Sequence, residues 1–351
     1  MKILPKNRVL RIIVYVVLCV VAALGITLAV FWAGEWTPEP MEVMYDEGPS
    51  GDSIPTKLKI VSWNIGYAGL GSDMDFFYDG GNSVQTSKER TETNMHKIIE
   101  FLQQNRDADF ILLQEVDFPS KRSYYLNEYD SLRAALPEFM GWWGLNYVSQ
   151  YVPIPLTNPI GSVKAGVVIL TRHQPQQVVR YSYPSKFPFP VSIFNLKRCL
   201  LEASFAIVGS DQTFYLGNTH NTAYDRGGMR SKEMEFLKNF LFGKRFSFTA
   251  GDWNSNPPLY VASKAERDDK YFPIESVSST ALGLGQSFLY DGTTPSARYG
   301  YQPYDSATTT RTIIDFAAFG DGVSPFDVQT IDLEFENSDH NPVIYYIAIK
   351  P

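Results

Sequence analysis

Cysteine is nearly missing from this chain: 351 residues hold two, Cys19 and Cys199. Only Cys199 lies beyond residue 56, so the folded part can form no disulfide of its own, and its apolar neighbours make Cys199 a buried thiol. Histidine is scarce as well, with four in all. No basic stripe stands out. From Lys57 onward 27 basic residues face 32 acidic ones, a net of −5, so charge does not point to tight nonspecific binding of duplex DNA. The glycines at 66, 69 and 71 open a loop that runs to Asn82, but neither P-loop nor dinucleotide spacing is present. There is no internal repeat.

Long apolar runs are also lacking, with one exception. Ile12 to Gly34 spans 23 residues without a charge, preceded by Lys2, Lys6, Arg8 and Arg11. That length crosses a bilayer, and the basic flank places the N-terminus in the cytoplasm. A cleaved signal peptide is the rival reading, but its apolar core would be shorter, and no small-x-small site follows Phe31-Trp32-Ala33. We expect an uncleaved anchor over residues 1–34 with the remainder exported. Residues 35–56 carry six acidic residues, no Lys or Arg, and prolines at 38, 40, 49 and 55, which predicts an extended tether. The rest, 57–351, has globular composition, 44% of the whole chain being hydrophobic and 14% aromatic.

Within that part, polar donors sit repeatedly at strand ends. Leu58 to Asn64 alternates like a strand and closes on Asn64. Thr86 to Asn105 is helical, with Met95, Ile98, Ile99 and Leu102 on one face. Asp109 to Val116 follows as a strand, and the period of two puts Glu115 on the face of Ile111 and Leu113. A carboxylate on a buried face needs a metal or a base beside it; the alternative is a half-exposed edge residue. The loop from Asp117 to Tyr125 gathers Lys121, Arg122, Tyr124 and Tyr125, either to meet a phosphate ester or as a solvated basic turn.

Ala165 to Leu170 is an apolar strand, and His173 beyond it has no carboxylate close in sequence. Arg198 opens a strand from Cys199 to Val208, and Thr213 to Thr219 returns antiparallel to end at His220. A helix is expected from Gly228 to Phe242. Phe246 to Phe248 reads as a buried strand running into Thr249-Ala250-Gly251-Asp252-Trp253-Asn254. Asp252 and Asn254 are hard oxygen donors suited to Mg²⁺, though turn composition alone would also supply them. Ile313 to Phe319 is another apolar strand with Asp315 inside it, a carboxylate that requires a donor. Ser338-Asp339-His340 precedes the last strand, and a His beside an Asp is a candidate oriented base.

This ordered set resembles the endonuclease/exonuclease/phosphatase superfamily, which includes pancreatic-type deoxyribonucleases, neutral sphingomyelinases and inositol-polyphosphate phosphatases. The matching pieces are Ser62-Trp63-Asn64, Leu113-Gln114-Glu115-Val116, Thr219-His220, Gly251-Asp252-Trp253-Asn254, Ile314-Asp315 and Ser338-Asp339-His340. The resemblance implies an α/β four-layer sandwich, two stacked mixed β-sheets flanked by helices, preceded here by the transmembrane helix. It also implies attack of water on a phosphate ester, dependent on Mg²⁺ or Mn²⁺, by a monomer. Carried over by residue, Glu115 matches the principal metal ligand, with Asn64 and Asp339 near it. Asp252 and Asn254 match the pair that positions nucleophile and phosphate, His340 the general base oriented by Asp315, and His220 the histidine on phosphate or leaving group. Apart from the resemblance, Arg198 offers a fork for the phosphate, and Arg122, Asn254 and His220 are expected to bind it with Arg198.

One departure is Asn221, where many relatives have an apolar residue. The substrate, a nucleic acid or a phospholipid head group, is left to the loops 65–86, 117–130, 145–164 and 255–311. The reading from a different class is a catalytically inactive binding or adhesion module on the same fold.

Overall fold

The computed structural model describes residues 7–225, 227–269 and 274–350. Lys2 and Lys6, half of the expected basic flank, lie outside them. The chain opens with helix α1 (Arg8–Ala33), capped by the Asn7 side chain and with no buried residue. The strands that follow are β1 (Met41–Asp46), β2 (Ser53–Ile54), β3 (Lys57–Asn64), β4 (Phe110–Asp117), β5 (Met140–Val152), β6 (Gly161–Thr171), β7 (Gln177–Ser182) and β8 (Cys199–Ile207). Then come β9 (Thr213–His220), β10 (Ser247–Asp252), β11 (Gln286–Leu289), β12 (Ala297–Arg298), β13 (Arg311–Thr312), β14 (Asp315–Gly320), β15 (Val323–Thr330) and β16 (Val343–Ile349). Helices α2 (Lys88–Gln104), α3 (Glu128–Ala135), α4 (Met229–Leu241) and the single turn α5 (Lys264–Arg267) are interspersed.

Two mixed sheets stack face to face. One has the order β15-β16-β3-β4-β6-β5, the other β1-β7-β8-β9-β10-β14-β11, with β2 beside β8. Alternation along each strand builds the layers. Phe110 and Leu112 of β4, Phe214 and Leu216 of β9, and Phe248 and Ala250 of β10 point between the sheets into one core. Ile111 and Leu113 point the other way, under Met95, Ile98 and Leu102 of α2 and Leu132 of α3. On the far side Leu237 and Leu241 of α4 cover Leu200, Trp253 and Phe316. Helix, sheet, sheet, helix: the four expected layers are present.

Two expectations are corrected. The acidic segment 35–56 is not a free tether. Met41 to Asp46 pairs antiparallel with β7, and Ser53-Ile54 pairs with β8, so the segment edges the second sheet. Its acidic residues and prolines suit an edge strand, where charge and missing N–H groups block further pairing. Nor is 145–164 a loop. The long hairpin of β5 and β6 takes up most of it, leaving only the turn between Val152 and Gly161. The 255–311 stretch is mainly irregular, as read, and adds the short β11, β12 and β13.

Candidate active site

The site lies where the inter-sheet core changes from apolar to polar. The inward-facing series Phe214, Leu216, Asn218, His220 runs along β9, and Phe248, Ala250, Asp252 along β10. On β3 the same parity carries Ile60 to Ser62 and Asn64. The period of two therefore delivers a functional side chain at each strand's end from the same face that makes the core. In register, His220 lies across from Asp252, which lies across from Asp315.

Gly251 makes this pairing feasible. Its φ is +145°, and a Cβ there would fall 1.9 Å from the Thr219 carbonyl oxygen of β9, so only glycine fits. Beneath the site, Gln114 Nε2 donates to Asn218 Oδ1 at 2.7 Å, and Asn218 Nδ2 donates to the carbonyls of Val168 at 2.8 Å and Leu113 at 3.0 Å. This buried polar clamp ties the two sheets together where the apolar core ends.

Asp252 is the hub. Its Oδ2 lies 3.2 Å from His220 Nε2 and 3.8 Å from His340 Nε2, and accepts from Asn64 Nδ2 at 3.0 Å. Its Oδ1 accepts from the Asn254 N–H at 2.8 Å. Burial alone would raise its pKa, but His220 and His340, with the Asn254 N–H, hold it below the usual carboxylate range. Asn254, at φ +47°, donates from Nδ2 to the Asn221 carbonyl at 2.9 Å, and its own carbonyl accepts from Arg230. Asn221 in turn donates its N–H to the Asp252 carbonyl and accepts from the Thr219 hydroxyl. That is the structural use of the polar residue at 221.

His340 Nδ1 and Asp315 Oδ2 are 2.8 Å apart. Burial would lower the imidazole's pKa; Asp315, then Asp252, outweigh it and raise it well above the ordinary value. The backbone around His340 is pinned by Trp63 Nε1 donating to its carbonyl at 2.8 Å. Ser338 also pins it, its hydroxyl donating to the Asn64 carbonyl at 2.8 Å and accepting from the His340 N–H at 3.2 Å. His220 is held low, first by burial and then by Arg198, and its Nδ1 has no hydrogen-bond partner among the described residues.

Glu115 departs from simple alternation. Leu113 pairs with Val168 and Val116 with Gly166, so two β4 residues oppose one on β6, and Glu115 sits at φ +54°. This bulge turns its carboxylate away from the face of Ile111 and Leu113 and toward the cavity. There it lies 3.9 Å from His220 Nε2 and 3.9 Å from Arg122.

Arg122 is buried and already bound. Its Nε and Nη2 reach Asp117 at distances down to 2.8 Å, and its guanidinium stacks 3.9 Å over the Tyr67 ring. Burial would lower its pKa, but Asp117 dominates and raises it. Arg198 is buried too, with a 3.4 Å contact to the His220 carbonyl. All ten predicted site residues thus sit at one end of the sandwich, and all except Asn64 and Asp315 line a single cavity of about 360 Å³. Sequence reading missed Asp79, Tyr224 and Arg298, which share its wall. They come from segments without periodicity, and a Tyr224–Asp79 hydrogen bond of 2.5 Å, across 145 residues, unites the first two.

The donors suit a hard divalent cation. Burial, opposed by His340 and Arg298 and aided by Glu115, pushes Asp339 up to about 7, so two acidic side chains crowd the same cavity, and a cation would offset their charge. Among the described residues no three His, Cys, Asp or Glu side chains converge as a ready cage. Mg²⁺ does not need one, because it is usually held by one or two carboxylates and keeps several waters. The Asn64 carboxamide is engaged from both ends, its Oδ1 by the Gly66 N–H at 3.0 Å and its Nδ2 by Asp252.

Residues 61–340 match the family model described as "Endonuclease/Exonuclease/phosphatase family". The chain belongs to that family, whose members are phosphoester hydrolases that generally depend on a divalent metal, and it is an enzyme of that class. No curated protein matches its sequence. Among solved structures it resembles an endonuclease/exonuclease/phosphatase from Beutenbergia cavernae, at 16% identity over 84% of this chain and 72% of that one, with a TM-score of 0.57. D. rerio TDP2 complexed with single-strand DNA product is similar at 14% identity, over 83% and 99%, with a TM-score of 0.52. ANGEL2, a 2',3'-cyclic phosphatase, is similar at 14% identity over 90% and 99%, with a TM-score of 0.53.

Proposed function

We propose that this is a membrane-anchored, exported phosphohydrolase that cleaves a phosphate ester by attack of a His340-activated water and depends on Mg²⁺ or Mn²⁺. The observation that carries the reading is the Asp315–His340 pair at 2.8 Å with Nε2 directed to the cavity side, next to Asp252. A carboxylate on Nδ1 keeps that nitrogen protonated and stabilises the imidazolium, so Nε2 takes a proton from water in the neutral fraction that grows as pH rises toward the raised His340 pKa. Asp252 aligns the water and holds His220, whose Nε2 can meet a phosphoryl or leaving-group oxygen. Arg198 offsets charge on the phosphoryl oxygens, and Asn254 and Arg122 border the same space.

Glu115 and Asp339, with Asn64 behind them, would hold the cation. When bound it supplies Lewis-acid stabilisation of the phosphoryl oxygens. α1 supports the anchor: 26 residues at about 1.5 Å each span about 39 Å, against about 30 Å of hydrocarbon. Arg8 and Arg11 at its start favour a cytoplasmic N-terminus. The absence of a basic stripe weighs against long duplex DNA and leaves short nucleic acids or phospholipid head groups.

The test is full-length enzyme in detergent, assayed on bis-p-nitrophenyl phosphate, single-stranded oligonucleotide and sphingomyelin, with Mg²⁺ or with EDTA. Turnover in Mg²⁺ that EDTA abolishes is the expected result. Turnover unchanged in EDTA would overturn the metal, and no turnover on any ester would overturn the reading.

A further inference from the structure

Among the stretches of the catalytic part that carry no charge, two lie beside α1: residues 139–163 and residues 187–196. The first contains the turn of the β5–β6 hairpin, the second the proline-rich loop before β8. Both leave large apolar side chains in solvent. Leu156 is 87% exposed and Phe189 60%, with Tyr151, Ile154 and Val191 also exposed. An isolated exposed apolar residue needs no explanation, but a contiguous uncharged group of them does.

Their position supplies it. The Phe31 ring of α1 stacks on Tyr151 at 6.2 Å and meets Phe194 edge-on at 5.5 Å, while Trp32 meets Phe189 at 6.1 Å. Two residues past the helix, Glu35 ion-pairs with Lys197 at 3.1 Å, and Arg180 lies 5.4 Å from the Trp36 ring. No spacer separates helix from domain, and the end of the apolar helix is continuous with these two loops. The same loops border the cavity: Ile154, Phe187, Val191 and Leu196 line its wall, together with Asp79 and Arg298.

We propose that the tips at 151–160 and 187–194 form, with the end of α1, an apolar collar that sits in the outer face of the bilayer. The occupant of this surface is lipid. An uncharged, aromatic-bearing surface with exposed apolar side chains beside the exit of a spanning helix meets the region where aromatic and aliphatic side chains are buried among head groups. The collar holds the cavity mouth against the membrane surface, so esters borne on lipid reach His340 and Asp252 without leaving the bilayer. The inference rests on the anchor reading of α1.

The experiment uses the full chain in phosphatidylcholine vesicles. Cys19→Ser removes the one exposed thiol, and buried Cys199 stays unlabelled. Single cysteines are introduced by Leu156→Cys, by Phe189→Cys, and by Leu284→Cys as a control. Leu284 is 94% exposed and lies beside the Gln286–Gly320 pair, at the far end of β14 from Asp315. Each carries an environment-sensitive fluorophore. The collar requires blue-shifted emission and loss of intensity with nitroxide-labelled lipid at 156 and 189, with quenching by aqueous iodide only at 284. If both tips behave like 284, the collar is wrong. Shielding from both quenchers would mean a protein partner or a second copy, and would equally overturn it.

Intact mass of the vesicle-bound protein separates the two readings. Loss of residues 1–34 would sink the anchor and the collar together, whereas a retained α1 with iodide-accessible tips sinks the collar alone. Hydrolysis of soluble ester without tip insertion leaves the chemistry standing and the collar refuted.

Discussion

Asp315→Asn is the sharpest single perturbation of the site. Asp315 keeps 3% of its surface exposed, its Oδ2 faces His340 Nδ1 at 2.8 Å, and its buried Oδ1 makes no hydrogen bond of good geometry among the described residues. An asparagine has two ways to sit there. With its oxygen toward the imidazole it keeps the tautomer but puts an unpartnered NH₂ where Oδ1 was. With its NH₂ toward the imidazole it drives the proton to Nε2, and the base is lost. Either way the charge that raises His340 is gone. A positioned base is typically worth about 10²–10⁴-fold in rate, or about 2.7–5.4 kcal/mol at 1.36 kcal/mol per tenfold. Asp315→Asn and His340→Ala should each lower kcat on bis-p-nitrophenyl phosphate within that range. The double variant should be little slower than His340→Ala alone, because groups acting as a unit are not additive. Thermal unfolding of each variant checks that the site is still folded. Losses that multiply, or near-normal turnover in His340→Ala, refute the pairing.

Glu115→Gln preserves shape and removes one charge from the cavity, so it should raise the Mg²⁺ concentration needed for half-maximal activity and lower kcat. The melting temperature should change little, since the side chain is 24% exposed. Arg122→Met leaves the fully buried Asp117 carboxylate without its cation, which should cost about 3–5 kcal/mol in denaturant unfolding. Removing the exposed Arg245–Asp321 pair should cost less than about 1 kcal/mol. Protease added outside intact cells with a permeable outer layer should remove residues beyond 34 and leave α1; complete protection would reverse the orientation.

Much of this protein is determined by local pattern. The apolar run of α1, the alternation in β3, and the polar residues that close β3, β9 and β10 are all properties of neighbouring residues. They place His220 and Asp252 at strand ends without reference to any fold, whereas the inward face that both share is seen only in the stacked sheets. Other features depend on residues far apart in the chain, and no local signal encodes them. His173, unassigned by its neighbours, pairs with Asp109 at 2.9 Å across 64 residues. The bulge that redirects Glu115 exists because two residues of β4 must oppose one of β6. The acidic segment 41–46 becomes an edge strand only because β7 offers it a free edge, and the last turn of α1 meets Tyr151 and Phe189 only once both sheets are stacked. Periodicity reports which face a side chain takes; which partner waits on that face is decided by long-range register and packing, and these exist only in the assembled sandwich.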